Sequence, residues 1–492
     1  MGYTVDMELA AFERAEPLAT THISRLVVAG DRVYKRKIAR EFGFVDQRSL
    51  AARRHLCELE VQLNRRIVDD VYLGVEPLTD GAGEVVDYVV AMRRMPFERS
   101  LAARLAAGEP AEGCVRAVAR LVADFHERAL RSAAITAAGT REAVASLWKD
   151  SLDDLARLDE HVEPQRVAAI RLAANRYLDG RRPLFEARCR GGLVVDGHGD
   201  LLTPDIYCLD DGPRILDCLE FDERFRYGDV LLDVAFLDMD LRWRGRPDLA
   251  IAFIDAYQEL SDEHHPSTLL AHFVAYRALV RAKVALYRAI GGDPSARADA
   301  ESLFGLVEER LAAGAIRLVM IGGLPGTGKS TLAEALSAHS GWMTINTDTV
   351  RHELGAERSS APWGQGAYAP DVTAQTYDLV MARARTALGL GESVIIDASF
   401  RDEANRAAVR DLGRALSASV VELRCQAPAA LADARLLARD ASNPSDATPA
   451  IAARMAESFA AWPEATTIDS ARPVDESVGV AVAATQAAPL DP

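Results

Sequence analysis

Apolar and polar positions alternate along the first stretch of the chain, then give way to helical spacing. Leu26-Val27-Val28-Ala29, the turn signal Gly30-Asp31 and Val33-Tyr34-Lys35 read as a β-hairpin. Leu50, Leu56, Leu59 and Leu63 recur near 3.6 spacing and predict a helix over residues 47–66. Val85 to Met92 reads as a strand, so residues 1–95 are expected to be β-rich with one helix. From Ser100 onward helical patterning dominates. Two short strand signals interrupt it, Leu193-Val194-Val195 and Arg214-Ile215-Leu216.

Gly291-Gly292-Asp293-Pro294 breaks the last of these helices, and a connecting helix over 297–313 ends at Gly314. Strands and helices then alternate: strand 316–321, helix 329–338, strand 342–346, helices around 371–388, strand 393–397, helix 403–416, strand 419–424. That alternation predicts a parallel sheet with helices on both faces. The resulting division is 1–95, 96–296, a connector at 297–314, a second domain at 315–475 and a flexible tail at 476–492.

A chain of 492 residues is too long for one core. Its net charge of -16 disfavours a general nucleic-acid or anionic-membrane binder, and no apolar run reaches bilayer length. The N-terminal residues carry no apolar signal segment, so a soluble, cytoplasmic protein is expected. Six cysteines, at 57, 114, 189, 208, 218 and 425, form no C-x-x-C pair, and free thiols are expected. His126 is expected to be a packed core histidine, and His264-His265 to lie exposed in a helix-entry turn.

Gly323-Leu324-Pro325-Gly326-Thr327-Gly328-Lys329-Ser330 fits the phosphate-loop pattern G-x-x-x-x-G-K-[ST], with an apolar strand before it and Thr331 opening a helix after it. Gly323, Gly326 and Gly328 let backbone N–H groups, including those of Thr327 and Thr331, cradle phosphate oxygens at a helix N-terminus. Lys329 would neutralise the β/γ-phosphates of ATP, and the Ser330 hydroxyl would hold Mg²⁺.

Asp348 and Arg351 follow the second strand, where ligands of parallel sheets bind; they could take a hydroxyl proton and hold an anionic group. Asp397 ends an apolar strand, a place for a group that positions the metal or substrate. Arg435 and Arg439 share a helix face and could close over a transferring phosphoryl group. The plainer readings are that the two aspartates cap the following helices and that the two arginines form a solvated face. In this order the pieces resemble the small P-loop kinases of the gluconate, adenylate and polynucleotide kinase type. That resemblance implies Asp348 near the acceptor hydroxyl, Arg351 at the substrate and the arginine pair in a lid. No long insertion of the kind found in ring-forming ATPases is present.

In the first half, His198-Gly199-Asp200-Leu201-Leu202-Thr203-Pro204-Asp205 is followed by Ile215-Leu216-Asp217. The pairing resembles the catalytic loop and metal-binding aspartate of aminoglycoside phosphotransferases and their protein-kinase-like relatives. The resemblance implies Asp200 as base, Asp205 and Asp217 as metal ligands, Lys35 on the α/β-phosphates and Glu60 as its ion-pair partner, with Glu58 as the alternative. Asp233 would brace the catalytic loop. Two departures stand out: the family has Asn where this chain has Asp205, and no glycine-rich loop lies near His22-Ile23-Ser24.

Tyr72-Leu73-Gly74-Val75, Met92-Arg93-Arg94-Met95-Pro96 and Glu220-Phe221-Asp222-Glu223-Arg224-Phe225-Arg226 extend the likeness to bacterial two-domain proteins. Those proteins join an aminoglycoside phosphotransferase-like domain to a gluconate-kinase-like P-loop domain. The expected fold is α/β multidomain: a protein-kinase-like α+β half, then a P-loop parallel α/β three-layer half. The expected function is transfer of the ATP γ-phosphoryl group to a small-molecule hydroxyl, in the bifunctional case by both halves. A nucleotide-binding switch and a polynucleotide 5′-hydroxyl kinase are the alternatives. Neither acceptor nor oligomeric state is legible.

Overall fold

The computed structural model describes residues 7–20, 23–42, 45–261, 265–355, 366, 369–438, 445 and 447–487. Contacts divide the chain into two compact units. One comprises Met1–Leu147, Ala187–His265 and Phe273–Glu309; the other comprises Trp148–Glu186, Pro266–His272 and Arg310–Pro492.

The first unit opens with a six-stranded sheet whose spatial order is Met7–Glu8, Tyr72–Thr79, Val85–Arg93, Arg32–Lys37, Ser24–Ala29, Pro17–Thr20. The Met7–Glu8 and Tyr72–Thr79 pair is parallel and the others are antiparallel. Successive side chains of a strand point to opposite faces. In Arg32–Lys37 this puts Val33, Lys35 and Lys37 on one face and Tyr34 on the other. Val33 packs with Cys57, Val61, Tyr72, Val90 and Met92, on the side covered by the helix Leu50–Asn64. Tyr34 packs with Phe12, Val27, Leu78, Val89 and Ala91. Ser49 caps that helix, its hydroxyl accepting from the Ala52 N–H at 3.1 Å. Helices then dominate, among them Glu112–Arg128, Val230–Trp243 and Ser267–Ile290, with short strands at Val194–Asp196, Ile206–Leu209 and Gly212–Ile215.

The second unit holds a five-stranded sheet in the order Met343–Asn346, Val394–Asp397, Arg317–Gly322, Ser419–Gln426, Thr466–Asp469, with every pair parallel. Numbered along the sequence, the strand order is 2-3-1-4-5. Leu318, Val319, Met320 and Ile321 are all fully buried, so both faces of the central strand are covered, as a three-layer fold requires. Val319 and Ile321 meet Leu332 and Leu336 of the helix Lys329–Ser340.

Four expectations need correction. Residues 476–492 are not a tail throughout: Val474–Ala487 is a helix, and its fully buried Ala481 joins the sheet's core cluster. Its small alanine and valine residues gave no strong periodicity, and the strand before it, Thr466–Asp469, was not foreseen. Residues 148–186 had been placed with the first half, but they group with the second unit. There Arg181 donates to the Leu416 carbonyl at 2.9 Å, and a Cβ on Gly180 would lie 2.1 Å from the same oxygen.

Cys114 and Cys208 form a disulfide with Cα atoms 5.8 Å apart. Cys57, Cys189, Cys218 and Cys425 stay free. The helix Glu112–Arg128 and the strand Ile206–Leu209 bring the bonded pair together across 94 positions, a proximity that spacing does not reveal. His265 is buried, with its ring 3.3 Å from the Arg188 guanidinium and 3.1 Å from the Ser261 hydroxyl. His264 lies outside the described residues.

A crosslink closing a loop of this length is worth about 4–5 kcal/mol in the chain-entropy account. Cys114→Ser should therefore lower the denaturation midpoint of the full chain. Alkylation mass spectrometry of the unreduced wild type should find four reactive thiols after unfolding; six would show that the bond does not form.

Candidate functional site

In the second unit the phosphate loop joins the strand Arg317–Gly322 to the helix Lys329–Ser340. Gly323 and Gly326 have φ of +139° and +81°, and a Cβ on either would sit 2.5 Å from a carbonyl oxygen, that of Cys425 or Ala432. Only glycine fits there, and the loop is held tightly enough to present its N–H groups as a cradle. The Lys329 ammonium donates to the Leu324 carbonyl at 3.0 Å, folded over its own loop. Thr331 is exposed on the first helical turn.

Asp397 ends the strand Val394–Asp397 fully buried. It accepts from the Asn346 amide at 2.6 Å and bonds the Ser330 hydroxyl. Burial pushes its carboxyl up, and Lys329 nearby opposes the shift. Asp348 does not cap its helix. Asn346 does, its side-chain oxygen accepting from the N–H groups of Asp348 (2.8 Å) and Thr349 (3.0 Å). Asp348 is left free to pair with Arg351. Lys329, Ser330, Asp348, Arg351 and Asp397 all line one cavity of about 390 Å³. Tyr377, Arg401 and Asn405 line it too, and sequence reasoning missed them. Arg401 and Asn405 closely follow the Asp397 strand, where loop residues of such sheets face ligands; that was the available signal.

Arg435 donates to the Ser470 carbonyl at 2.7 Å and its hydroxyl at 3.2 Å, so its guanidinium is engaged beside the loop rather than held out in a lid. Arg439 lies outside the described residues.

In the first unit Lys35 pairs with Glu60 at 2.9 Å and Asp217 at 2.6 Å. Glu58 instead meets Arg54 on an exposed face. A second lysine, Lys37, was not foreseen. It is fully buried and pairs with both Glu60 and Glu220. Its position two residues after Lys35, on the same strand face, was the signal. Burial works against both ammonium groups, yet the surrounding carboxylates raise their pKa above the usual lysine value.

Asp217 adopts φ +64°, a left-handed conformation costing a non-glycine residue about 1–2 kcal/mol. Its N–H donates to the Tyr72 hydroxyl at 3.0 Å, and the next N–H, of Cys218, donates to Asn64 at 2.9 Å. Asp233 accepts from the N–H groups of His198 (2.7 Å) and Gly199 (2.8 Å), bracing the loop that carries Asp200. His126 is buried as expected and holds Asp233 from behind at 3.0 Å, with the Tyr257 hydroxyl on its other nitrogen at 2.8 Å.

Asp200 and Asp205 are both half-buried in the segment 198–205. Burial pushes the Asp200 carboxyl up to about 6. Desolvation, reinforced by Asp217 and Asp200, raises Asp205 well above the carboxylate range. Asp217 is lowered: burial opposes this, but the Lys35 ammonium outweighs it.

Among the described residues no cluster of three or more His, Cys, Asp or Glu side chains forms a ready metal cage. The available donors are hard oxygens, Ser330 with Asp397 in one unit and Asp205 with Asp217 in the other. Such sets suit Mg²⁺, which binds through one or two carboxylates and the phosphates themselves.

The chain matches the AAA domain family (AAA_33) over residues 318–462. A gluconokinase from Sinorhizobium meliloti 1021 aligns with 34% of this chain and 90% of its own, at 16% identity and a TM-score of 0.28. A choline kinase from Cryptosporidium parvum Iowa II aligns with 60% of this chain and 88% of its own, at 12% identity and a TM-score of 0.38. Uncharacterized proteins of Mycobacterium tuberculosis and Mycobacterium bovis are each 38% identical over 466 residues, covering 94% of this chain and 93% of theirs. The chain belongs to the family of these mycobacterial proteins.

Proposed function

We propose that this protein is a cytoplasmic, ATP-dependent kinase with two transfer sites, each moving the γ-phosphoryl group to a hydroxyl of a small molecule such as a sugar, sugar acid or aminosugar. The observation that carries the reading is the shared cavity of the second unit, where Lys329 and Ser330 face Asp348, Arg351 and Asp397. Mg²⁺, when bound, supplies charge neutralisation at the β- and γ-phosphates. The chain's own groups do the rest. The loop N–H groups and Lys329 hold phosphate oxygens, and Asp348 receives the acceptor's proton. Arg351 orients an anionic part of the acceptor and keeps Asp348 in place. Asp397 holds the Ser330 hydroxyl toward the phosphates.

In the first unit Lys35 is positioned for the α/β-phosphates, and Asp200 for the acceptor hydroxyl. A second reading, a nucleotide-binding switch, draws support from the same unit. Asp205 stands where the related kinases have Asn, and Lys35 is closed onto Asp217 at 2.6 Å, a contact that nucleotide must open.

The test is ATP turnover by the full chain against sugars, sugar acids, aminosugars, nucleosides and 5′-hydroxyl oligonucleotides, with products read by mass spectrometry. Lys329→Ala should cut transfer at the second site by about a hundredfold or more, and leave any activity that depends on Asp200. Asp200→Ala should show the reverse pattern. ATP binding without any phosphorylated product would favour the switch; a product confined to oligonucleotides would favour polynucleotide 5′-hydroxyl phosphorylation.

Asp397→Asn should lower kcat more than it weakens ATP affinity, because it loosens Ser330 without touching the loop N–H groups. Equal kcat for Asp397→Asn and wild type would remove Asp397 from the site.

A further inference from the structure

In the second unit the turn 398–402 carries the end of the strand Val394–Asp397 into the helix Glu403–Ala415, and it breaks two local rules. Phe400 adopts φ +48°, a left-handed conformation that is sterically costly for a bulky side chain. Asp402 stands at the N-cap of the helix, where an aspartate ordinarily accepts from an N–H of the first turn. Its side chain makes no such bond.

Both departures are held in place by specific contacts. The fully buried Phe400 ring meets Tyr377 edge-on at 6.2 Å and Trp462 at 5.9 Å. A Cβ on Gly322, at the end of the central strand, would lie 3.1 Å from the Phe400 Cβ and 2.3 Å from the Trp462 ring. The backbone is tied on either side of the ring. The Ala398 N–H donates to the Ile321 carbonyl at 3.2 Å, and the Ser399 carbonyl accepts from the Gly323 N–H of the phosphate loop at 3.1 Å. The Arg401 carbonyl accepts from the Ala460 N–H at 3.1 Å. Asp402 turns its carboxylate away from the helix and onto Arg401, whose Nε and Nη2 donate to its two oxygens at 3.1 and 2.8 Å. Arg401 and Asp402 line the same cavity as Lys329, Asp348 and Arg351. A strained backbone and an aspartate diverted from its cap share one outcome: the Arg401 guanidinium is held at the cavity wall. Such local costs gather where a side chain must be aimed.

We propose that Arg401 is a second contact for the anionic part of the acceptor in the P-loop unit, and that Asp402 is the positioning residue that aims it. The proposal rests on the kinase reading of this unit. A guanidinium gripped along one edge keeps its planar fork in a single orientation, so less rotamer freedom is lost when an oxyanion binds. Asp402 acts only through Arg401 and touches neither acceptor nor nucleotide.

The experiment uses the full chain carrying Asp200→Ala, which silences the first site, with Arg401→Gln, Asp402→Asn or both. D-Gluconate and 3-phosphoglycerate are compared with D-glucose by ADP release. Arg401→Gln should raise the KM of the anionic acceptor by about ten- to a hundredfold, the worth of a charged hydrogen bond, with little change in kcat or in the KM for ATP. Asp402→Asn should raise the same constant by about threefold, the worth of a part-exposed ion pair. The double variant should be no worse than Arg401→Gln, because the two residues act as one unit. Asparagine caps helices as well as aspartate, so Asp402→Asn should leave the thermal midpoint where it was. An unchanged acceptor KM in either single variant overturns the proposal. So do a lower KM in Asp402→Asn, which would make the carboxylate a mere repulsion, multiplied losses in the double variant, and turnover of D-glucose alone.

If no acceptor reacts, calorimetric titration of D-gluconate into the same proteins decides, with AMP-PNP and Mg²⁺ present to fill the phosphate loop. Binding about tenfold weaker in Arg401→Gln upholds the contact while the kinase reading of the unit falls. Equal binding, or none by the protein with Arg401 and Asp402 intact, overturns it.

Discussion

Lys35 and Lys37 enter the interior of the first unit from the same face of one strand, and neither charge could remain there without Glu60, Asp217 and Glu220. Two cations and three carboxylates share that space, with Glu60 bridging both lysines. Removing Glu60, which bridges both lysines at full burial, leaves a buried charge uncompensated, at a cost of about 3–5 kcal/mol. The cluster therefore fixes several things together. It sets which face of Arg32–Lys37 meets the helix Leu50–Asn64, how far that helix advances, and where the segment 217–220 must pass. The left-handed Asp217 backbone persists because Tyr72 and Asn64 hold the N–H groups at and after it.

What the sequence disclosed follows how local each feature is. The phosphate loop is contiguous, its flanking strand and helix are written in neighbouring residues, and its place in the fold was legible. Lys35, Glu60 and Asp217 were legible only because the resemblance ordered them; nothing in their spacing says that they touch. Lys37 carried no family signal and Glu220 entered only as part of a matching run, yet both are buried and pair with each other in the cluster. The Cys114–Cys208 bond and the grouping of residues 148–186 were missed because each depends on a contact between positions far apart in sequence. The helix Val474–Ala487 lacks strong periodicity, and its contact with the sheet core through Ala481 is likewise distant in sequence. Arg435 teaches the converse. Helical spacing put it on a face but could not show that Ser470 would occupy its guanidinium.

Under the proposed function, the two units would hold phosphate by different physical means. The second uses backbone: glycines at positive φ pack against the carbonyls of Cys425 and Ala432, so the donors are fixed by main-chain geometry and carry no net charge. The first offers a lysine on a strand, kept charged by neighbouring carboxylates, and no comparable glycine loop is written in its sequence. A backbone cradle is indifferent to nearby acids, because its donors neither titrate nor need a counter-ion. A lysine site is not. Every carboxylate that stabilises Lys35 would compete with phosphates for it, and Asp217 meets it at 2.6 Å. Under the proposed function, nucleotide would have to displace an existing ion pair in one unit, while in the other Lys329 would give up only a hydrogen bond to the Leu324 carbonyl. On this ground the second site should take up nucleotide at the smaller electrostatic cost, and occupancy of the first depends on how fully a cation at Asp205 and Asp217 replaces the lysine it releases.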